Sequence, residues 1–283
     1  MIICRRVAEL RDHIWPGRQR GRRIGLVPTM GALHEGHLSL VRAAAAECDE
    51  VVVSIFVNPA QFNDVSDLQA YPRDEQSDLR LAESAGATVV FAPPVDEVYP
   101  AGSATTVHVG GVSEPWEGAS RGPGHFAGVA LVVSKLLNMV GPDAAWFGEK
   151  DAQQVAVVRR LSADLNIPAR IMTGPTIREP DGLAMSSRNV RLSWQARQRA
   201  LSLHEALSSI VSGAAAGIEN VEELCSRGRR ILAAAGVEPE YLAVVDSRTF
   251  DALATLSDRE AGTTRAIVAA EVGGVRLIDN EPW

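Results

Sequence analysis

Apolar and polar positions follow two rhythms along the first 175 residues. Short apolar runs that are mostly β-branched alternate with Leu- and Ala-rich stretches of helical spacing. The run 51–57, VVVSIFV, is almost wholly apolar, as expected of a parallel strand covered on both faces. The pattern predicts strands at 24–27, 51–57, 88–91, 144–147 and 170–173, with Pro28 ending the first. It predicts helices at 38–46, 78–85, 126–140 and 152–165. Strand and helix in alternation point to a Rossmann-like, doubly wound parallel sheet.

The rhythm changes after Pro175. A polar stretch, 176–193, reads as an ordered loop, followed by helices at 194–215 and 221–235. Strands at 241–245, 265–271 and 275–278 follow, with Gly273–Gly274 as a hairpin turn. The expected organisation is an α/β domain over 1–176 and a smaller C-terminal α+β lid domain over 177–283.

Composition narrows the class. Hydrophobic residues make up 46% and charged residues 22%, an ordinary globular mixture. The net charge of -7 disfavours a nucleic-acid partner, which needs a basic surface, but leaves room for a local cluster of cations. Cys4, Cys48 and Cys225 are scattered without a CxxC pair, so neither a disulfide framework nor a structural zinc is indicated. No secretory signal is visible and the apolar run 129–140 is too short to span a bilayer. The expectation is a cytoplasmic protein with no membrane partner.

Four segments carry chemistry. The first, Pro28-Thr-Met-Gly-Ala-Leu-His34-Glu-Gly-His37, links a buried strand to a helix. Free N–H groups and the helix dipole favour phosphate at such a junction. Two imidazoles three residues apart share one face of a first turn and can donate to a developing anion. The blander reading is a pair of helix-terminal histidines; a metal pair lacks the HExxH spacing and a nearby third ligand. No GxGxxG follows a strand and no Walker sequence occurs. The second segment, Gly148-Glu-Lys150-Asp151-Ala-Gln-Gln154, also follows a strand and offers a cation and an acid. The third, Met185-Ser-Ser-Arg188-Asn, lies in the loop between the two predicted domains, where hydroxyls and a guanidinium can wrap phosphate. The fourth, Asn58-Pro-Ala-Gln61-Phe62, places amides at a strand's carboxyl end. Each segment alone also fits an ordinary turn or helix start, but one fold directs all four to the same rim.

PTMGALHEGH, FVNPAQF, GHFAGV, FGEKDAQQ, PTIRE and DGLAMSSRN occur in this order. Together they resemble the pantothenate synthetase (pantoate–β-alanine ligase) family of HxGH nucleotidylyl transferases, from about Gly25 to Asn189. The resemblance implies a two-step reaction. Pantoate attacks the α-phosphate of ATP to give pantoyl adenylate and pyrophosphate, and β-alanine then displaces AMP. It implies that Met30, Gly31, Ala32, Leu33, His34, Glu35, Gly36 and His37 line the ATP site, with His37 the proton donor to the phosphates and His34 beside it. Gly148, Glu149, Lys150 and Asp151 would complete that site at ribose and phosphate. Ile177 would meet adenine through its backbone, and Met185, Ser186, Ser187 and Arg188 would clamp the outer phosphates. Gln61 and Gln154 would hold pantoate, with Gln61 near β-alanine. Mg2+ would accompany ATP, with Asp78 as a protein contact, and the protein would be a homodimer. Two features depart from the family pattern. Arg121-Gly-Pro-Gly-His125-Phe126 is one residue longer than usual, and Ala60 stands where a bulkier residue is common. A related transferase that stops at a nucleotide product, or a non-catalytic nucleotide binder, would share the fold; retention of both histidines, Lys150 and both glutamines speaks for the ligase.

Overall fold

The computed structural model describes residues 1–63, 65–257 and 262–283, with backbone alone at 65–67. The strands are β1 (Ile2–Cys4), β2 (Ile24–Thr29), β3 (Glu50–Ile55), β4 (Val89–Phe91), β5 (Ala144–Gly148) and β6 (Arg170–Gly174), then β7 (Pro239–Asp246), β8 (Thr264–Val272) and β9 (Val275–Pro282). The first six form one parallel sheet in the order β1-β4-β3-β2-β5-β6. The last three form an antiparallel sheet. The doubly wound reading therefore holds, with the small α+β unit after it.

Side-chain alternation shows why the parallel strands are so apolar. Leu26, Val52, Val89, Phe91, Ala145 and Phe147 enter one buried cluster with the helix Gly124–Val140. Their neighbours Val27, Val51, Val53, Val90, Ala144 and Trp146 enter another with the helix Glu35–Glu47. Successive residues point to opposite faces, so a sheet covered on both sides needs an apolar residue at nearly every position. The small sheet is likewise covered twice. Leu242, Val244, Ala266 and Val268 pack on the helices Trp194–Ala215 and Val221–Ala234. Val245 and Ile267 join the core of the large sheet.

Local features differ from the expected pattern, among them three near the first strands. β2 continues through Pro28 to Thr29. Pairing with β5 has ended by Leu26, so the N–H that proline lacks is not needed by the ladder on that side. β1 and the helix Val7–Gln19 were not foreseen: a three-residue edge strand has no readable period, and the helix is charged and carries Pro16. The helix at 78–85 begins earlier, at Glu75, because Asp74 caps it by accepting from Ser77 N–H. The hairpin at Gly273–Gly274 is present, with φ of 61° and 75°.

β2 feeds leftward to β3 while β5 feeds rightward to β6. Strand order reverses between β2 and β5, and the crevice at their carboxyl ends is where such sheets take ligands.

Candidate active site

Beyond Thr29 the chain turns through Gly31 (φ 82°) and Ala32 (φ 50°), both left-handed. That conformation suits glycine but strains alanine. Asp78 holds it: its carboxylate accepts the N–H groups of Ala32 (2.9 Å) and Leu33 (2.7 Å). Burial pushes the Asp78 carboxyl up, opposed by these two donors.

The turn delivers His34 as the N-cap of the helix Glu35–Glu47. Gly36 N–H donates to His34 Nδ1 (3.2 Å), and His34 N–H donates to His37 Nδ1 (3.4 Å). Both Nδ1 atoms therefore accept, which leaves Nε2–H as the donor on each neutral ring. The ring centroids are 4.1 Å apart. Burial, with His34 adding to it, lowers the His37 pKa to about 3. Burial and then Lys150 lower that of His34. The pair is thus a set of neutral hydrogen-bond donors, not a reservoir of protons.

At the end of β5, a 3-10 turn, Glu149–Asp151, leads into the helix Ala152–Asp164. Lys150 Nζ lies 3.6 Å from Asp151 Oδ1. Asp151 lines the cavity with its side chain about half exposed. Desolvation opposes its ionisation, but Lys150, Arg121 and Arg188 outweigh it and hold the carboxyl below its usual range. The loop after β6 folds back on itself, pairing Arg178 with Ala184, and Met185 N–H donates to Ile177 O (2.9 Å). Ser186 then caps the 3-10 turn Ser187–Arg191 by accepting from Arg188 N–H (3.2 Å). Tyr71 lines the same cavity as Ser187.

The amides form the floor. Asn58 is 1% exposed. Its Nδ2 donates to Gln61 Oε1 (2.9 Å) and Gly128 O (3.1 Å), and its Oδ1 accepts from Tyr99 OH (2.8 Å). A Cβ on Gly128 would lie 2.1 Å from Ala60 O, so only glycine allows this approach. Gln61 Nε2 reaches Met30 Sδ (3.3 Å), and the Gln61 carbonyl pairs with His125 Nδ1 (3.0 Å). His125 therefore carries its proton on Nδ1, the reverse of His34 and His37. Burial and then Arg121 lower its pKa to about 4.

The wall opposite is built by Glu117 and Arg121, on the short helix Glu117–Arg121. Glu117 accepts from Arg276 Nη2 (2.6 Å), Arg276 Nη1 (2.9 Å) and Tyr241 OH (2.8 Å), and Arg121 Nη1 lies 3.9 Å away. Burial opposes ionisation of Glu117, but these partners hold its carboxyl low. Gln153 fixes the approach to this helix through Glu117 N–H, Val112 O and Pro115 O. The longer run after Arg121 is accommodated where Gly122 leads through Pro123 into the helix Gly124–Val140.

One cavity gathers Met30, His34, Gly36, His37, Gln61, Gly148, Lys150, Asp151 and Gln154 with Ile177, Met185, Ser186, Ser187 and Arg188. A second cavity, about 510 Å³, shares Gln61, Lys150, Asp151, Ser186 and Arg188 with it, so the two form one cleft. Gly31, Ala32, Leu33, Glu35 and Glu149 are not in the lining. Leu33 is in the core, Glu35 pairs with Arg42 at the surface, and Glu149 meets Thr173 and Arg265. Sequence reasoning gave no ligand contact to Tyr71, Glu117 or His125, although all three line the cleft with Asn58 and Arg121. Asn58 and His125 sit inside motifs already singled out; Glu117 is marked by nothing local. Among the described residues no three His, Cys, Asp or Glu side chains converge as a metal cage, and both Asp78 oxygens accept backbone N–H groups. The described residues therefore offer no ready cage for a resident metal.

A family model described as pantoate-beta-alanine ligase matches residues 2–282. Pantothenate synthetase of Cereibacter sphaeroides is 53% identical over 281 residues, covering 99% of each chain. That of a Chelativorans species is 55% identical over 282 residues, covering 99% of this chain and 97% of the relative. The crystal structure of the Thermus thermophilus pantothenate synthetase superposes with a TM-score of 0.93 at 45% identity, covering 100% of this chain and 99% of that one. The Francisella tularensis pantoate-beta-alanine ligase, complexed with beta-gamma ATP and beta-alanine, superposes with a TM-score of 0.80 at 35% identity, covering 100% and 97%. A match over nearly the whole length, on a sheet whose switch point carries the HxGH turn, leaves one assignment: the chain belongs to the pantoate-beta-alanine ligase family.

Proposed function

We propose that the chain joins pantoate to β-alanine in two steps through a pantoyl adenylate. In the first, a pantoate carboxylate oxygen attacks the α-phosphorus of ATP, and the bond to the β-phosphate breaks to release pyrophosphate. In the second, the β-alanine nitrogen attacks the activated acyl carbon. The carbon–oxygen bond to AMP breaks, and the amine loses a proton as the amide forms. The observation that carries this reading is the cleft itself, where cations from three chain segments, Arg121, Lys150 and Arg188, meet neutral histidine donors and an amide floor.

The first step brings a carboxylate to a polyphosphate, so charge must be neutralised and the reactants held in line. Lys150 and Arg188 supply positive charge to the phosphates. The Nε2–H groups of His34 and His37 donate to the oxygens on which charge grows. Ser186 and Ser187 hold the outer phosphates, Gly148 and Asp151 the ribose, and Ile177 the adenine. Gln61 and Gln154 address pantoate, with Gln61 also near β-alanine. Magnesium would enter with ATP on the nucleotide's own oxygens; no protein step is assigned to it. The division at 176 then has a use: residues 177–283 carry the phosphate loop and part of the wall of a cleft whose histidines, Lys150 and amides come from 1–176.

A homodimer is part of the proposal. Residues 104–108 lie outside every helix and strand, are mostly exposed, and among the described residues make no backbone–backbone hydrogen bond. Exposed backbone of this kind can be taken up by a second copy. Sedimentation should give about twice the chain mass, and Thr106→Pro should shift it toward monomer.

Isotope transfer tests the chemistry. Pantoate labelled with 18O in its carboxylate should pass one label to AMP. Unlabelled AMP beside labelled pantothenate would exclude the adenylate.

A further inference from the structure

Lys150 stands on a three-residue turn, and the groups that fix this turn come from the far end of the chain. Asn280, on β9, is 4% exposed. Its Nδ2 donates to the carbonyls of Glu149 and of Lys150, each at 2.9 Å. Its Oδ1 accepts from Arg265 of β8. Both atoms of the amide thus have partners, and two consecutive carbonyls at the start of the helix Ala152–Asp164 are tied to the small sheet. Arg265 also reaches Glu149 Oε2 (3.4 Å), whose other oxygen accepts from Thr173 at the end of β6 (3.0 Å).

The preceding residue does a parallel job. Side chains alternate along a strand, and Asp279 and Glu281 point away from Asn280 toward Arg178. Arg178 Nη1 donates to Asp279 Oδ2 (2.6 Å), and Arg178 Nη2 donates to Asp279 Oδ1 (3.2 Å) and Glu281 Oε2 (3.0 Å). Arg178 belongs to the folded-back loop that leads to Ser186, Ser187 and Arg188. One strand thereby registers both halves of the cation set, the loop through Asp279 and the lysine turn through Asn280.

We propose that Asn280 is a positioning residue for the adenylation step, holding the 149–150 backbone so that the Lys150 ammonium meets the nucleotide phosphates. The proposal rests on the reading of Lys150 given above. Misplacement of a charge by about an ångström costs on the order of 10²-fold in rate, so the link should be visible in kinetics and not only in stability.

The test is a double-mutant cycle on the full chain, read by pantoate-dependent pyrophosphate–ATP exchange. Lys150→Ala, Asn280→Ala and the double variant are compared, with the KM for β-alanine measured in the complete reaction. Asn280→Asp serves as the second variant if Asn280→Ala does not fold, since it keeps the shape and the contact with Arg265 but turns oxygen toward two carbonyls. We expect Asn280→Ala, or Asn280→Asp in its place, to slow exchange at least tenfold and leave the KM for β-alanine within about twofold. In the Lys150→Ala background the same change should cost less than about threefold. Equal cost in both backgrounds, or an equal rise in every KM, would overturn the proposal. Normal exchange in Lys150→Ala would instead remove Lys150 from the chemistry, and the role of Asn280 with it, a failure distinguishable from the other two.

Discussion

Burial and the neighbouring His34 ring hold His37 at a pKa of about 3, so the ring is neutral throughout the physiological range. Its contribution must come through Nε2–H as a fixed donor. His37→Ala should therefore lower kcat by roughly 10²–10³-fold, the cost of losing one preorganised donor, with a smaller change in the KM for ATP. A steady-state comparison decides it, and an unchanged kcat would remove the residue from the mechanism. The same burial has a pH signature. An unfolded histidine binds a proton below about 6.5, whereas His37 does so in the fold only near 3 and His125 only near 4. The unfolded state then holds more protons, so stability is full above about 6.5 and declines as pH falls toward 3–4, by up to about 1.4 kcal/mol per pH unit for each ring. Thermal unfolding between pH 7 and 5 should show a shallower decline in His37→Gln than in the parent. Parallel curves would contradict the assignment.

At the scale of elements, the turn before His34 is the feature most exposed to a single change. Asp78→Ala would leave the Ala32 and Leu33 N–H groups without their acceptor beside a left-handed alanine. The expected loss is about 2–4 kcal/mol in urea unfolding, with no change in the magnesium concentration needed for half-maximal rate. A marked rise in that concentration would restore Asp78 as a metal contact. The long elements were legible because their patterns are local: the helix at 194–215 starts behind a capping Ser193 and ends within Ala-rich sequence. The strands read correctly because double burial removes polar residues from them. Pro28 misled because its effect depends on which neighbour still pairs at that level. The HxGH turn was legible as a motif, but its acceptor, Asp78, lies 45 residues beyond Leu33, and no local pattern announces that bond.

For the molecule as a whole, the residues that sequence reasoning missed are those that join distant segments. Glu117 and Arg276 are 159 positions apart, and Asn280 is 130 from Lys150. These contacts seat the small sheet against the cleft, together with Trp116 Nε1–H donating to Phe250 O (2.8 Å). Removing one member of a buried ion pair strands the other, at a cost of about 3–5 kcal/mol. Arg276→Ala should be destabilised to this degree, and Glu117→Gln combined with Arg276→Met should recover most of the loss. Urea unfolding of both variants checks this, and an additive loss in the double variant would show that the pair is not coupled. No helix among the described residues is long and apolar enough to cross a membrane.

Product analysis with each substrate omitted in turn bears most directly on the adenylate account. With ATP and pantoate alone, labelled pyrophosphate should exchange into ATP while little AMP accumulates. Adding β-alanine should release AMP and pantothenate in equal amounts, and omitting pantoate should abolish both reactions. AMP release indifferent to β-alanine, or ADP in place of AMP, would contradict it.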